Sequence, residues 1–282
     1  MTALAALVTS GTGHEGHAHG AVGVEILAAV GGALLLAAGY LVLAEQQRRS
    51  PRGWPLARTL SFLAGAVLLG VSLLPQLSPY PAGSFAGHMH QHLLLGMYAP
   101  IGLVLGAPVT LLLRSSSPSG RRVIARVLHS GWVRLVSHPV VALVLNVGVL
   151  VALYVTPLYR LTQEHPALHH LVHVHFLAAG CLFSWVIAGP DPAPGRPSVP
   201  ARLWVLGVAI LVHAVLAQVI YAGIGVDIPG PAADRRAGGD LMYYGGDLAE
   251  LALALAMVSS WRPEPRRARD WSGVVRRRAT TP

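Results

Sequence analysis

Histidines stand at helical spacing in two apolar stretches of the chain. His88 and His92 lie four residues apart at the start of one long apolar run, and His169 and His173 repeat that spacing in another. Side chains at positions i and i+4 stack on one face of an α-helix, so each pair presents two imidazoles in one direction. Imidazole is a ligand that suits copper, zinc and iron. Two such helices predict a metal site shared between them.

Other potential ligands accompany these pairs. His175 closely follows the second pair, and His213 stands alone in a later apolar run. Both join the two pairs as candidate metal ligands. Carboxylates are costly in hydrocarbon, and they can orient a metal-bound histidine from behind. The auxiliary candidates, each able to bind a metal ion or to orient its ligands, are Met89, Asp240, Asp247 and Glu250.

The composition is that of a membrane protein. Apolar residues make up 53% of the 282 residues and charged residues only 12%, where a soluble domain usually carries about 25% charge. The apolar residues fall in runs about 20 long, the length that crosses a bilayer as a helix. The single cysteine, Cys181, lies inside such a run, so no disulfide framework or paired-thiol site is expected.

The apolar runs predict an all-α integral membrane protein built as a seven-helix transmembrane bundle. The predicted spans are roughly 21–44, 58–77, 88–113, 138–157, 167–188, 203–222 and 240–260. Residues 1–20 then form a histidine-rich tail, residues 21–260 the transmembrane domain, and residues 261–282 a basic tail. Proline-rich stretches between the spans support these boundaries, because proline ends helices.

Arginine sets the expected orientation. The segments rich in arginine alternate with segments that have little, and they are 45–58, 114–137, 189–202 and the residues after 260. Cytoplasmic loops carry the excess of basic residues, so we expect the N-terminus outside and the C-terminus in the cytoplasm. The net charge of +9 is then mainly a topology signal, which favours contact with lipid and argues against nucleic-acid binding.

This orientation places the histidine pairs at matching depth in the outer half of the bundle. It also places His14, His17 and His19 outside, where a flexible tail could capture copper or zinc weakly. A simpler interpretation remains for each histidine, because an imidazole near a membrane surface often only forms hydrogen bonds. The sequence leaves open whether three further histidines take part, namely His90, His165 and His170.

Several other functions are disfavoured. A rhodopsin shares the predicted layout, but its retinal Schiff base needs a lysine and this chain has none. The HExxH motif of zinc proteases is also absent, since HEGH at 14–17 has the wrong spacing. No phosphate-binding glycine loop is visible.

The stretch HMHQHLLLGMYAPIGLVLGAPVTLLLR resembles a signature of the CtaG-type (caa-type) cytochrome c oxidase assembly proteins, a polytopic membrane family. The matching elements are His88, QHLLL at 91–95, Ala99-Pro100 and GAP at 106–108. Segments 173–185 and 189–197, His213-Ala214 and the last span agree with the family pattern, over about residues 55–270. The last span departs from it at Arg235 and Tyr243, where the pattern has Gln and Trp.

The resemblance implies a non-enzymatic assembly factor for haem–copper cytochrome c oxidase in the bacterial cytoplasmic membrane, with oxidase subunits and the lipid bilayer as partners. Copper would be held by the histidine cluster and passed to the oxidase. Occupancy should fall below about pH 6.5, because imidazole must be neutral to bind a metal. Two alternatives stay open: a haem-binding redox protein with histidine axial ligands, and a copper or proton transporter using His213, Asp247 and Glu250.

Overall fold

The computed structural model describes residues 14–260, with side chains from residue 30 onward except at position 75, and this part of the chain is helical without β-strands. Its α-helices, in chain order, are α1 (His14–Arg48), α2 (Leu56–Ser72), α3 (Phe85–Leu93), α4 (Ala99–Leu105), α5 (Pro108–Ser115), α6 (Pro118–Leu128), α7 (Gly131–Val136), α8 (Pro139–Leu143), α9 (Val149–Val155), α10 (Leu158–Glu164), α11 (Pro166–Ile187), α12 (Val199–Ala222) and α13 (Ala232–Ser259). Residues 14–20 of the predicted tail 1–20 belong to α1, while residues 1–13 and the predicted tail 261–282 lie outside the described residues.

Two of the predicted spans contain a π-helical turn. Leu94–Tyr98 joins α3 to α4, and Val144–Gly148 joins α8 to α9. A π turn shifts the hydrogen-bonding partner of each amide by one residue, and such turns recur at functional sites. Both turns lie next to the histidine-bearing helices described below.

The prediction of an all-helical, multi-pass membrane protein is confirmed. Among the described residues, five helical stretches are long and apolar enough to cross a bilayer, and they are Val30–Arg48, Phe85–Ser115, Pro166–Ile187, Val199–Ala222 and Ala232–Ser259. A bend of 80° separates Pro139–Val155 from Leu158–Glu164. If these two helices form one span, it is the sixth. Leu56–Ser72 is apolar but has only 17 residues. The count of seven and the orientation stay predictions.

Helix α3 begins where a carboxylate from the far end of the chain meets it. The two carboxylate oxygens of Asp234 in α13 accept hydrogen bonds from the backbone amides of Phe85 (2.7 Å) and Ala86 (3.1 Å). Ser84 accepts a third from Gly87 at 3.0 Å. The first amides of a helix have no partner within it, and an anion complements the positive end of the helix dipole. This cap fixes the end of α3 against α13.

Helix α5 is capped in the same way. Ala107 adopts a left-handed conformation (φ 54°), and Pro108 then starts the helix. The carboxylate of Asp191 accepts hydrogen bonds from the amides of Val109 (3.0 Å) and Thr110 (2.7 Å) and from the Thr110 hydroxyl (2.6 Å). Asp191 is only 2% exposed. The GAP element is thus a helix break whose free amides are satisfied from the loop after α11.

Packing around the histidine-bearing helices is close. Helix α13 runs along both α3 and α12, while α11 lies against α4 and the first π turn. A buried apolar cluster joins α3, α9, α11, α12 and α13, with Phe85, Leu153, Phe176 and Ile220 among its members. The bundle therefore brings the residues of α3 and α11, far apart in sequence, into one interior.

Replacing Asp191 with alanine should destabilise the protein measurably. The change leaves two half-buried amides and a hydroxyl without their acceptor, at a cost of about 1–3 kcal/mol. Thermal unfolding of the detergent-solubilised protein measures this. Asp227→Ala is the matched control, because Asp227 pairs with Arg160 on the surface at 3.3 Å and such pairs contribute about 1 kcal/mol or less. Equal shifts in the two variants would contradict the capping role.

Candidate functional site

Three of the four paired histidines come together between α3 and α11. The rings of His88 and His173 are stacked with centroids 6.4 Å apart, and the rings of His169 and His173 lie 4.2 Å apart. We call these three residues the outer cluster. They are neighbours because each helix presents its i, i+4 face toward the other, as the spacing predicts.

Two tyrosines that the sequence analysis did not identify complete the surroundings of the outer cluster. The hydroxyl of Tyr154 lies 3.0 Å from His88 Nε2, and the ring of Tyr159 stands 4.9 Å from the His88 ring, nearly perpendicular to it. Both tyrosines flank the bend at Pro157, at the end of the predicted fourth span. Their place beside Pro157 is visible in the sequence, but their contact with His88 is not. Tyr154 fixes the orientation of the His88 ring.

A cavity of about 210 Å³ reaches the outer cluster. Its lining includes His88 and His169, together with His90, Gln91, Tyr159 and Gln163. Gln91 is held by a 2.8 Å hydrogen bond from its amide to the carbonyl of Ser72 in α2. His90, whose ring packs near Tyr80, lines this cavity without a ring contact to the outer cluster. The cavity gives a small ligand access to His88 and His169.

His92 lies deeper than the outer cluster. It is 3% exposed, and its ring packs against Phe176 of α11 with centroids 4.6 Å apart. Neither ring nitrogen has a hydrogen-bond partner. The ring is close enough to interact electrostatically with His213, His88 and His173.

His213 and Glu250 form a second group of polar side chains inside the bundle. His213 Nδ1 lies 4.0 Å from Glu250 Oε1, and the two side chains are 2% and 7% exposed. Both nitrogens of His213 and the Oε2 atom of Glu250 lack hydrogen-bond partners. The predicted candidates thus separate into the outer cluster and this inner group, with His92 between them.

His175 has a structural partner of its own. Its Nε2 atom lies 2.9 Å from the carbonyl oxygen of Leu145, so a protonated Nε2 donates to it. Leu145 lies within the π turn Val144–Gly148. This geometry points His175 toward α8 and α9, on a different side of α11 from the outer cluster.

The remaining candidates lie apart. Met89 is fully buried in the apolar cluster that joins α3 to its neighbouring helices. Asp240 is exposed, and Asp247 is half-buried. His165 and His170 are exposed near the start of α11. The side chains of His14, His17 and His19 lie outside those that the structure describes.

The donor set of the outer cluster suits copper or zinc, although its present spacing is not that of a formed site. Within residues 14–260, no group of three His, Cys, Asp or Glu side chains is arranged to hold a metal ion. Two imidazoles bound to one ion have ring centres about 5–6 Å apart. The distances of 6.4 and 4.2 Å lie on either side of that range, so the three rings do not surround a single ion in this arrangement.

Comparison with known proteins identifies relatives. The family model described as cytochrome c oxidase caa3 assembly factor (Caa3_CtaG) matches residues 38–264. Uncharacterized proteins of Mycobacterium leprae, Mycobacterium bovis and Mycobacterium tuberculosis are each 31% identical over 83% of this chain. The chain spans 38% of the length of these relatives. No solved structure matches the chain.

His175→Ala should lower stability, because it removes the donor that satisfies the Leu145 carbonyl at the π turn. A carbonyl left without a partner costs about 1–3 kcal/mol, which thermal unfolding would show as a lower Tm. His165→Ala, at the exposed position just before the same helix, is the control and should leave Tm nearly unchanged. An unchanged Tm for His175→Ala would mean that the hydrogen bond is not structural.

Proposed function

The chain belongs to the cytochrome c oxidase caa3 assembly factor family, and from this we propose that it holds copper in the membrane and passes it to a haem–copper oxidase. Copper is cargo here, so the protein acts by binding and release and makes or breaks no covalent bond of its own. We propose no catalytic role for any residue.

The observation that carries this proposal is the outer cluster. Three imidazoles from two helices meet beside a cavity that gives access to two of them. Neutral imidazole binds both copper oxidation states, and a set of few ligands leaves copper exchangeable. Such a site favours a carrier that must give up its ion.

The proposed location follows from the arginine distribution and the relatives. The protein is multi-pass, and mycobacterial relatives support the bacterial cytoplasmic membrane. The alternation of arginine-rich segments supports the N-terminus outside, with the outer cluster in the outer half of the bundle. We propose that an oxidase subunit docks on that outer face to receive copper. The amino-terminal histidines would capture the ion first.

The double variant His88→Ala/His173→Ala should lose the copper of the outer cluster. Removing two of three ligands should weaken binding by more than about 100-fold, since even the partners that orient a ligand contribute 10–100-fold. Metal analysis of the purified protein against a competing chelator measures this. The control is His129→Ala/His138→Ala, which changes two exposed histidines in the arginine-rich region. Undiminished copper binding in the first variant would overturn the outer site.

In a host whose own gene is deleted, the same double variant should fail to restore oxidase activity. The membranes should then contain oxidase with its haem absorbance but with less copper, because the factor supplies copper and not haem. The His129→Ala/His138→Ala control should restore activity. A visible spectrum of the purified wild-type protein tests the competing haem function: a Soret band that the double variant loses would favour haem binding over copper delivery.

A further inference from the structure

The outer cluster leaves three buried polar side chains without a role. His92 of α3, His213 of α12 and Glu250 of α13 are 3%, 2% and 5% exposed. Ionisable side chains inside a membrane bundle are costly and mark functional sites. These three side chains come from separate helices.

The unmet hydrogen-bonding capacity of this region is concentrated on these residues. The buried atoms without a partner there are Nδ1 and Nε2 of His92, Nδ1 and Nε2 of His213, and Oε2 of Glu250. Buried polar atoms in folded proteins are nearly always paired, and an unpaired one calls for a bound ion or water. Several such atoms on three converging side chains indicate a ligand shared by all three.

Helix α13 brings the three side chains to one level. A side-chain carbon on Gly245 would stand 2.6 Å from Leu93 Cδ1, so α13 touches α3 directly at the residue after His92. A carbon on the next residue, Gly246, would overlap the ring of His213. Leu93, the neighbour of His92, and His213 therefore contact the same turn of α13. Glu250 lies four residues beyond Gly246 and so on the same face of that helix.

We propose that His92, His213 and Glu250 form a second, interior binding site for a divalent transition-metal ion, distinct from the outer cluster. Two imidazoles and one carboxylate are a donor set for Cu²⁺ or Zn²⁺. The carboxylate supplies a negative charge that compensates the ion in a region without solvent.

Like the outer cluster, the inner group does not have the spacing of a formed metal site, but its one close pair of donor atoms comes near to it. His213 Nδ1 and Glu250 Oε1 are 4.0 Å apart, whereas two donors on one tetrahedral ion lie about 3.3 Å apart. A closure of well under 1 Å, within the reach of side-chain rotation, brings both to an ion. Because His92 also interacts with His88 and His173, it links the two sites. The function of the inner site as a holding position for copper rests on the proposed function; its existence does not.

The test is a Cu²⁺ titration of the metal-free, full-length protein carrying His14→Ala, His17→Ala and His19→Ala, so that the tail does not bind. We expect two equivalents of Cu²⁺. Glu250→Gln, which preserves shape, and His213→Asn should each weaken one equivalent by at least about 10-fold and leave the other unchanged. Glu45→Gln and His138→Asn are the matched controls at exposed positions and should retain both equivalents. Thermal unfolding of each variant confirms that it is folded.

The outcomes separate the two sites. If His88→Ala/His173→Ala removes one equivalent and Glu250→Gln the other, both sites stand. If a single equivalent is lost only with His88→Ala/His173→Ala, the inner site is overturned and the outer proposal survives. If a single equivalent is lost only with Glu250→Gln and His213→Asn, the inner site stands and the outer proposal fails. Two equivalents that are unaffected by Glu250→Gln and His213→Asn would show that the inner side chains bind only water.

Discussion

A polar group inside an apolar helix bundle must find its hydrogen-bond partner within the protein, because lipid and apolar side chains cannot replace the hydrogen bonds of water. The structure meets this demand wherever a helix is interrupted. Asp191 satisfies the free amides at the GAP break, and Asp234 satisfies those at the start of α3. His175 reaches the carbonyl of Leu145 at a π turn. These residues hold helices in register, and their polarity is fully used in doing so.

The same constraint distinguishes structural polar residues from candidate ligand sites. His175 has a partner, whereas both nitrogens of His92 and of His213 have none. All three histidines are equally plausible ligands from their sequence positions. Only the bundle shows which of them retain free donor atoms. The outer cluster lies between these two cases. Tyr154 is within hydrogen-bond distance of one nitrogen of His88, while a cavity leaves the cluster accessible.

Much of the fold follows from the sequence because apolar length is a direct consequence of the bilayer. Each of the seven predicted runs is helical, and the pairing of His88 with His173 follows from i, i+4 spacing at matched depth. The misjudged boundaries have local causes. The last helix begins at Ala232, eight residues before the predicted 240, because polar residues such as Asp234 are stabilised there by capping α3. The π turns have no sequence period of their own, so the partner of His175 and the tyrosines around the bend at Pro157 could not be assigned from the sequence.

Helix α13 explains why the last span combines small and acidic residues. Asp234 of α13 caps the start of α3, and Gly245 of α13 leaves room for Leu93 of α3. Helix α13 therefore fixes both the start and the depth of α3. One residue later, Gly246 leaves room for the ring of His213 from α12. A bulkier residue at either glycine would push α3 or the His213 ring away, and Glu250 would lose its neighbour. One helix therefore sets the position of α3 and of the His213 ring.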